Sequence, residues 1–251
     1  SYGYVSVGNR TSTTDPLNHT TTYTYDEVNR VSVVTDAQNH STTFGYDTVG
    51  NRTNITDAEN RATAFTFDAL NRLTVTTSPS NKTQTATYDN VGNTLSQTDE
   101  ANQTTTFTYD AVNRLATKTD ALNGATAFAY DNVGNLLTQT EPGNLVTAYV
   151  YDAANRVTSK TVPNGATTYV YDSANNLITL TTNSGARRAY SFDNDNLLTS
   201  ETRYDAQNNL LVTYAFAYDA THNRTNETET RPNQSALTTT FAFDDLNRNI
   251  S

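Results

Sequence analysis

The sequence predicts an all-β protein, a coiled ribbon of antiparallel β-hairpins with about 21 residues in each hairpin. Two observations predict this fold. A Tyr or Phe followed by Asp returns every 21 residues over most of the chain, and each copy ends a short run in which aromatic and small polar side chains alternate. A fixed period of this length indicates stacked units that bury apolar surface only against their neighbours. We therefore interpret the chain as a repeat array.

The repeated dipeptide defines the array. Successive copies are 21 residues apart from Tyr25 to Tyr151, and the next copy follows after 20 residues at Tyr171. Because a reactive site does not recur at every repeat, we predict a structural role for the whole row. Its members are Tyr25, Asp26, Tyr46, Asp47, Phe67, Asp68, Tyr88, Asp89, Tyr109, Asp110, Tyr130, Asp131, Tyr151, Asp152, Tyr171 and Asp172.

The repeat that contains Tyr109 shows how one hairpin is built. Phe107 and Tyr109 share one face of a predicted strand, with Thr side chains on the other face. Asp and Asn in residues 110–113 suit a turn, because their side chains bond the local backbone. Leu115 to Thr119 then reads as the returning strand, and residues 120–124 as the next turn.

A second aromatic row lies two positions before the first. Because both rows fall on the same face of their strands, we expect the rings to gather on one inner, drier side of the ribbon, where neighbouring rings stack. Ala86 breaks this row. An aromatic platform for sugars or bases is the alternative interpretation of the same spacing. The row comprises Tyr23, Phe44, Phe65, Phe107, Phe128, Tyr149, Tyr169 and Tyr190.

Glycine marks every second turn between Gly8 and Gly134, as in Val49-Gly50-Asn51, whereas the turns between carry Asn-Arg, as at Asn29-Arg30. We interpret this glycine as an added residue. It predicts a bulge or a longer loop at alternate hairpins, with the following strand one residue shorter.

The regular spacing is lost towards the C-terminus. We predict a regular 21-residue array over residues 1–191, followed by longer, degenerate repeats of the same array over residues 192–251. The chain begins within a repeat and contains no Met, so we expect it to be a segment of a longer array.

Composition excludes several classes of protein. Hydrophobic residues make up 35%, so burial should be thin. The net charge of −10 is the wrong sign for binding nucleic acid, and no apolar stretch approaches the length of a membrane span. Cysteine is absent, which removes disulfides and thiol chemistry.

Carboxylates recur in two rows, the repeat aspartates and a second row of Asp15, Asp36, Asp57, Asp99 and Asp120 that Glu141 completes. Calcium binding is one interpretation. We favour turn capping, with an Arg four or five positions further on offsetting the repulsion. The proposed pairs are Asp26 with Arg30, Asp47 with Arg52, and Asp110 with Arg114.

No residue pattern points to an active site. His19 and His40 occupy the same place in successive turns, where a third repeat has Arg61, which is not the behaviour of a catalytic histidine. We therefore predict no catalytic residue, no cofactor and no metal, and a protein that is not an enzyme.

The turn sequence Tyr-Asp-Thr-Val-Gly-Asn-Arg of residues 46–52, followed by Thr-Asp-Ala-Glu-Asn at residues 56–60, resembles the YD repeat of the RHS family. The resemblance covers essentially the whole chain. It implies a YD-repeat β-shell or solenoid, which in Rhs toxins and toxin-complex C-components holds a cytotoxic domain and in teneurins supports cell-surface adhesion. It also implies an extracellular or cell-surface location.

These features together predict a non-enzymatic structural segment of a secreted or cell-surface RHS/YD-repeat protein. The alternatives are a self-assembling extracellular filament subunit, built through unpaired edge strands, and a glycan- or receptor-binding adhesion module. The expected partners are neighbouring repeats or further copies of the chain, with an encapsulated toxin domain or a cell-surface glycan beyond them.

Overall fold

The protein is described here by a computed structural model that covers residues 1–244 and 248–250. The predicted all-β class is confirmed, because these residues form 23 β-strands and no helix. They accordingly contain no helix long and apolar enough to cross a membrane. The chain divides into two compact units, residues 1–125 and residues 126–251.

Long and short strands alternate in the first unit, with six residues in most long strands and five in the short ones. Its strands are β1 (Tyr2–Tyr4), β2 (Arg10–Thr14), β3 (Thr20–Tyr25), β4 (Val31–Thr35), β5 (Ser41–Tyr46), β6 (Arg52–Thr56), β7 (Ala62–Phe67), β8 (Leu73–Thr77), β9 (Thr83–Tyr88), β10 (Thr94–Thr98), β11 (Thr104–Tyr109) and β12 (Leu115–Thr119).

The strands of the second unit reach nine residues in length. They are β13 (Ala125–Tyr130), β14 (Leu136–Glu141), β15 (Leu145–Tyr151), β16 (Val157–Val162), β17 (Gly165–Tyr171), β18 (Leu177–Thr181), β19 (Arg187–Phe192), β20 (Leu198–Tyr204), β21 (Leu210–Tyr218), β22 (Arg224–Thr230) and β23 (Leu237–Thr240).

Each unit is an antiparallel meander. In the first unit, consecutive strands from β1 to β12 pair antiparallel with one another. In the second unit, consecutive strands from β13 to β23 do the same. The hairpin arrangement that the sequence predicts is therefore confirmed within both units.

The turn between β3 and β4 shows the loop that recurs along the array. The Asp26 N–H donates to the Arg30 carbonyl at 2.8 Å, and the Asn29 N–H donates to the Asp26 carbonyl at 3.0 Å. Asn29 has a φ of 64°, in the left-handed region that Asn tolerates better than other residues with side chains. This is a three-residue hairpin loop, a type I turn closed by a left-handed residue.

A β-bulge follows this loop at every hairpin of the YD type. Tyr25 pairs with Val31, but the next pair is Thr24 with Val33, so Ser32 is the extra residue of the bulge. Equivalent shifts follow the aromatic residue of the other repeats, for example between Thr66 and Phe67. Because of the extra residue, Val31 and Val34, which pair with Tyr25 and Tyr23, both lie on the same face as the two rings.

The prediction that glycine lengthens alternate loops is wrong. Gly50 takes the place of Asn29 in the turn, with its N–H donating to the Asp47 carbonyl at 3.3 Å, and β4 and β6 both have five residues. Glycine replaces the left-handed residue instead of adding one, so loop length and bulge are the same in both forms. The two forms differ in φ, which is 103° at Gly50.

The rings of the repeats lie on one side of each sheet, as predicted. Side chains of directly paired residues point to the same face, and Tyr23 pairs with Val34 while Phe44 pairs with Ile55. In the first unit we call this side the aromatic face and the opposite side the threonine face. The aromatic face carries Tyr23, Tyr25, Phe44, Tyr46, Phe65, Phe67, Tyr88, Phe107 and Tyr109. The threonine face carries Thr22, Thr24, Thr43, Thr66, Thr85, Thr87, Thr106 and Thr108.

Burial is thin in both units. In β7, Phe65 and Phe67 are half-buried, whereas Ala64 and Thr66 on the other face are exposed. Among the described residues, Val212 is the one hydrophobic side chain that is fully buried, at 6% exposure. The rings are therefore shielded mainly by their strand neighbours, as a sequence with few hydrophobic residues predicts.

Candidate functional site

The repeat aspartate caps its own turn. One oxygen of Asp26, Oδ1, accepts from the backbone N–H groups of Val28 at 3.1 Å and Arg30 at 2.9 Å. The other, Oδ2, accepts from Arg30 Nε at 2.7 Å. Asp68, Asp110 and Asp152 make the same contacts with Arg72, Arg114 and Arg156. The predicted pairs of Asp26 with Arg30 and of Asp110 with Arg114 are thus confirmed.

In the glycine turns, an asparagine replaces this arginine. Asp47 Oδ2 accepts from Asn51 Nδ2 at 2.9 Å, so the predicted pair of Asp47 with Arg52 is wrong. Arg52 comes one residue later and falls on the strand, where its guanidinium lies 5.7 Å from the ring centroid of Phe44. The glycine does not lengthen the turn, so it is Asn51 that stands at the place of Arg30.

The residue at this place also ties each turn to the turn of the next repeat. Arg30 Nη1 donates to the Asp47 carbonyl at 3.0 Å, and its guanidinium covers the Tyr46 ring at 4.5 Å. Asn51 Nδ2 donates to Asn71 Oδ1 at 2.8 Å. Arginine and asparagine contacts therefore alternate along one edge of the first unit, and the second unit repeats them, as in Asn135 with Asn155 and Arg156 with Asp172.

The repeat tyrosine links the same repeats within the sheet. The Tyr46 hydroxyl donates to the carbonyl of Val31, 15 residues earlier, at 2.9 Å. Val31 is the first residue after the preceding turn, beside the bulge. The hydroxyls of Tyr25, Tyr88, Tyr109 and Tyr151 make the equivalent bond to Arg10, Leu73, Thr94 and Leu136.

These contacts lower the pKa values of the repeat aspartates. In Asp152, the side-chain hydrogen bond from Arg156 is the main cause of a pKa below the usual range, followed by the Arg156 backbone N–H. For Asp219, the side chain of Asn223 is the main cause of a pKa of about 2, against an opposing effect of desolvation. These aspartates are therefore ionised at neutral pH and act as acceptors.

The remaining members of the predicted repeat row lie at equivalent places. Asp89, Asp131 and Asp172 accept from the side chains of Asn93, Asn135 and Asn176. Phe67 and Tyr171 end β7 and β17, and Tyr130 ends β13. The row follows one edge of the sheet within each unit, where successive turns come together.

The second carboxylate row caps the turns at the other edge. Asp15 and Asp36 bind His19 and His40 at 3.0 Å, and Asp57 binds Arg61 at 2.7 Å. Glu141 departs from the row: it ends strand β14, and its Oε2 accepts from the Thr126 hydroxyl at 2.8 Å. The rows are thus turn caps, and no group of three or more acidic or histidine side chains within the described ranges could hold a metal ion.

A groove on the first unit interrupts this regular pattern. It encloses about 550 Å³ and crosses β8, β9 and β10, with Ala86 and Gln97 among its lining residues. At one end lies Tyr88, and at the other lie Asp99 and Asp120. The sequence does not predict this groove, although Ala86 forms a gap in the second aromatic row.

The repeated turns, tyrosine links and one-sided rings define a YD-type β-hairpin scaffold. Residues 3–167, about two thirds of the chain, match the Teneurin YD-shell family, and residues 171–203 match the RHS Repeat family. The chain therefore belongs to the Teneurin YD-shell family, and the resemblance to RHS repeats is confirmed. No curated protein sequence matches it.

Solved structures of TcdB2-TccC3 and of a Tc holotoxin pore have a similar fold. A crystal structure of TcdB2-TccC3 without its hypervariable C-terminal region is 16% identical, with a TM-score of 0.60 over 97% of this chain and 16% of that chain. TcdB2-TccC3-TEV is 18% identical, with a TM-score of 0.58 over 99% of this chain and 17% of the other. The Photorhabdus luminescens Tc holotoxin pore with a TccC3 mutation is 16% identical, with a TM-score of 0.55 over 97% and 16%.

At these identities the likeness shows the fold alone. The chain spans about one sixth of the length of the solved chains that it matches.

Proposed function

We propose that this chain is a non-enzymatic structural segment of a secreted or cell-surface RHS/YD-repeat protein, in which it forms part of the wall of a β-shell. The observation that carries the proposal is the recurrence of bonds between repeats. Arg30 to Asp47, Asn51 to Asn71 and Tyr46 to Val31 each join one repeat to the next, and each recurs further along the chain. Polar side chains that are used in this way hold a wall together, whereas an active site is a single departure from the pattern.

We propose further that the aromatic face is the inner side of the wall. Its rings are half-buried, and the threonines opposite are largely exposed in strands such as β7 and β11. Hydroxyl side chains and a net charge of −10 suit a hydrated exterior. A face of half-buried rings suits contact with neighbouring repeats and with polypeptide held inside.

The partners follow from this arrangement. Further repeats, or further copies of the chain, complete the wall, and an encapsulated toxin domain is the proposed occupant. The C-terminal region from residue 192 onwards is proposed as a degenerate part of the same array, with strands of up to nine residues in β21. An extracellular or cell-surface location completes the proposal.

The proposal is tested on the purified full chain by circular dichroism, small-angle X-ray scattering and electron microscopy. We expect a β-only spectrum, a monomeric particle and no turnover of general hydrolase substrates. Filaments of uniform width at high protein concentration would replace the proposal with the filament alternative. A scattering profile typical of a random coil would overturn the scaffold itself.

A pair of variants tests the assignment of the two faces. Phe65→Asp places a charge on the aromatic face, whereas Thr66→Asp places the same charge on the adjacent exposed position of β7. We expect the first to lower the thermal midpoint clearly and the second to leave it nearly unchanged, because a charge is costly only where water is removed. Equal effects would contradict the assignment.

A further inference from the structure

The same four residues, Asn-Gly-Ala-Thr, occur at residues 123–126 and again at residues 164–167. In an Asn-Gly pair the asparagine side chain reacts readily with the next backbone nitrogen, because glycine has no side chain to hinder the approach. Both asparagines are exposed and both glycines are half-buried. The following sequence and the access to water are therefore matched, and the two sites differ in the turns that hold them.

The first copy lies in a capped turn. Asn123 has a φ of 63°, and its N–H donates to the Asp120 carbonyl at 3.0 Å. The Asp120 N–H donates to the Gly124 carbonyl at 3.0 Å, and the Gly124 N–H donates to Asp120 Oδ1 at 2.8 Å. The backbone nitrogen that would react is thus bonded to a carboxylate, whose negative charge opposes the loss of its proton.

The second copy lies in a shorter turn without a capping aspartate. Strand β16 ends at Val162 and β17 begins at Gly165, so Pro163 and Asn164 alone form the loop. Asn183 Nδ2 donates to the Asn164 carbonyl at 3.4 Å. Among the described residues, no carboxylate accepts from the Gly165 N–H, and the Asn164 side-chain amide has no hydrogen-bond partner. The reacting groups are therefore less restrained here than in the first copy.

Glycine is required at residue 165, so the reactive pair is built into this hairpin. Gly165 has a φ of 136°, which residues with side chains rarely adopt. An added Cβ would also lie 2.7 Å from the Cβ of Asn183. The fold thus excludes the larger residues that would slow the reaction by crowding.

We propose that Asn164 is a site of spontaneous deamidation and that Asp120 protects Asn123 from the same reaction. The Gly165 nitrogen gives its proton to hydroxide and attacks Cγ of Asn164, and the side-chain nitrogen takes up a proton and leaves as ammonia. One water molecule then opens the cyclic imide to aspartate or to isoaspartate. Each event replaces an amide with a carboxylate, which adds one negative charge to the turn.

Isoaspartate has a local effect on the hairpin. It carries the main chain through the former side-chain carbon and so lengthens the loop by one atom. Because the loop has two residues, the pair of Val162 with Gly165 that closes it is the part of the sheet expected to loosen. The modification needs this hairpin alone, so it goes beyond the proposed wall function and can be tested apart from it.

The test is peptide mapping by mass spectrometry of the full chain during incubation in mildly alkaline buffer, both folded and in urea. In urea, Asn123 and Asn164 should deamidate at similar rates, because the same residues follow them. In the folded chain, Asn164 should react at least about tenfold faster, the factor that corresponds to one hydrogen bond to a charged group. Equal rates in the folded chain, or an Asn164 that reacts only in urea, would overturn the proposal.

A variant tests the protecting carboxylate directly. Asp120→Ser removes it and keeps a type of turn that the array already has at Ser78, where the same two backbone bonds close the loop. It should raise the rate at Asn123 about tenfold and leave the rate at Asn164 unchanged. With a thermal midpoint that shows the variant to be folded, an unchanged rate at Asn123 would refute the role of Asp120.

The matched control is Asp99→Ser. It makes the same change in the capped turn of the preceding repeat, where Gln103 takes the place of the reactive glycine. It should leave the rates at Asn123 and Asn164 unchanged. A faster reaction at Asn123 in this control would mean that general loosening of the sheet sets the rate, which would also overturn the proposal.

Discussion

The hydroxyl of Tyr46 donates a 2.9 Å hydrogen bond to the carbonyl oxygen of Val31, beside the bulge of the preceding hairpin. The bulge shifts the strand register between Thr24 and Tyr25, where regular ladder bonding is interrupted. The tyrosine thus supplies a donor at a local defect of the sheet. The ring of Tyr46 belongs to the aromatic face, and its hydroxyl has the separate role of binding this carbonyl.

Tyr46→Phe should reduce the free energy of unfolding by about 1 kcal/mol, because it removes one partly buried hydrogen bond and keeps the ring. Phe67 occupies the same place relative to Arg52, so Phe67→Tyr should stabilise the chain by a comparable or smaller amount. Urea denaturation monitored by circular dichroism measures both variants. Equal midpoints for Tyr46→Phe and the unmodified chain would show that the hydroxyl adds nothing.

Arg72→Lys should destabilise the chain by about 1–2 kcal/mol, since a lysine cannot replace the guanidinium in all of its contacts. Arg72 bonds Asp68 and the Asp89 carbonyl and covers the Tyr88 ring at 4.7 Å, with a side chain that is 24% exposed. The matched control is Arg61→Lys, whose side chain is 63% exposed and pairs only within its own turn. Thermal denaturation measures both variants. A larger loss of stability for Arg61→Lys than for Arg72→Lys would contradict the role of Arg72 in joining two repeats.

Gly92→Ala should cost about 1–2 kcal/mol through backbone strain alone. Gly92 has a φ of 104°, and an added Cβ would meet no atom within 4 Å, so crowding contributes nothing. Gly92→Asn should be milder, because Asn occupies this turn position in the alternate repeats. The denaturation midpoint should therefore be highest for the unmodified chain, lower for Gly92→Asn and lowest for Gly92→Ala. A different order would show that backbone strain is not the cause.

Acid should unfold the chain. The folded pKa values of Asp152 and Asp219 are depressed, that of Asp219 to about 2, by hydrogen bonds from Arg156 and Asn223. Such groups contribute stability above the unfolded pKa of about 4, and this stability is lost as the pH falls through the folded value. The thermal midpoint should therefore fall between about pH 4 and pH 2.

Because the capping aspartate recurs from repeat to repeat, the losses of stability on acidification add along the chain. Asp219→Asn should reduce the pH dependence slightly, because one of many titrating carboxyls is removed. A midpoint that rises on acidification would mean that charge repulsion outweighs the capping bonds.

Much of the fold could be predicted from the sequence, because each element is encoded locally. The alternation around Phe107 and Tyr109 places a strand, Asp110 and Asn113 place its turn, and the 21-residue spacing repeats the hairpin. The one-sided rings follow from the same alternation. Within each unit, paired residues come from strands that are consecutive in sequence, so the local pattern and the final register agree.

The errors arose where two arrangements share the same spacing. A glycine that replaces the left-handed residue, as Gly50 replaces Asn29, and a glycine that is added to the turn both preserve the 21-residue period. The two arrangements differ in φ, which only the structure gives. The wrong partner for Asp47 followed from that choice. The groove at Ala86 was missed because its amides and carboxylates come from two strands and two turns, which sequence alone does not bring together.

Within each unit, every contact between the described strands joins consecutive strands, so none of these strands depends directly on a distant part of the chain. Deleting or duplicating one complete 21-residue block would therefore leave the remaining register intact, whereas a change of one residue would reverse which side of a strand meets water. Gene duplication in whole blocks is thus a route by which such arrays can grow or shrink without inventing a new core.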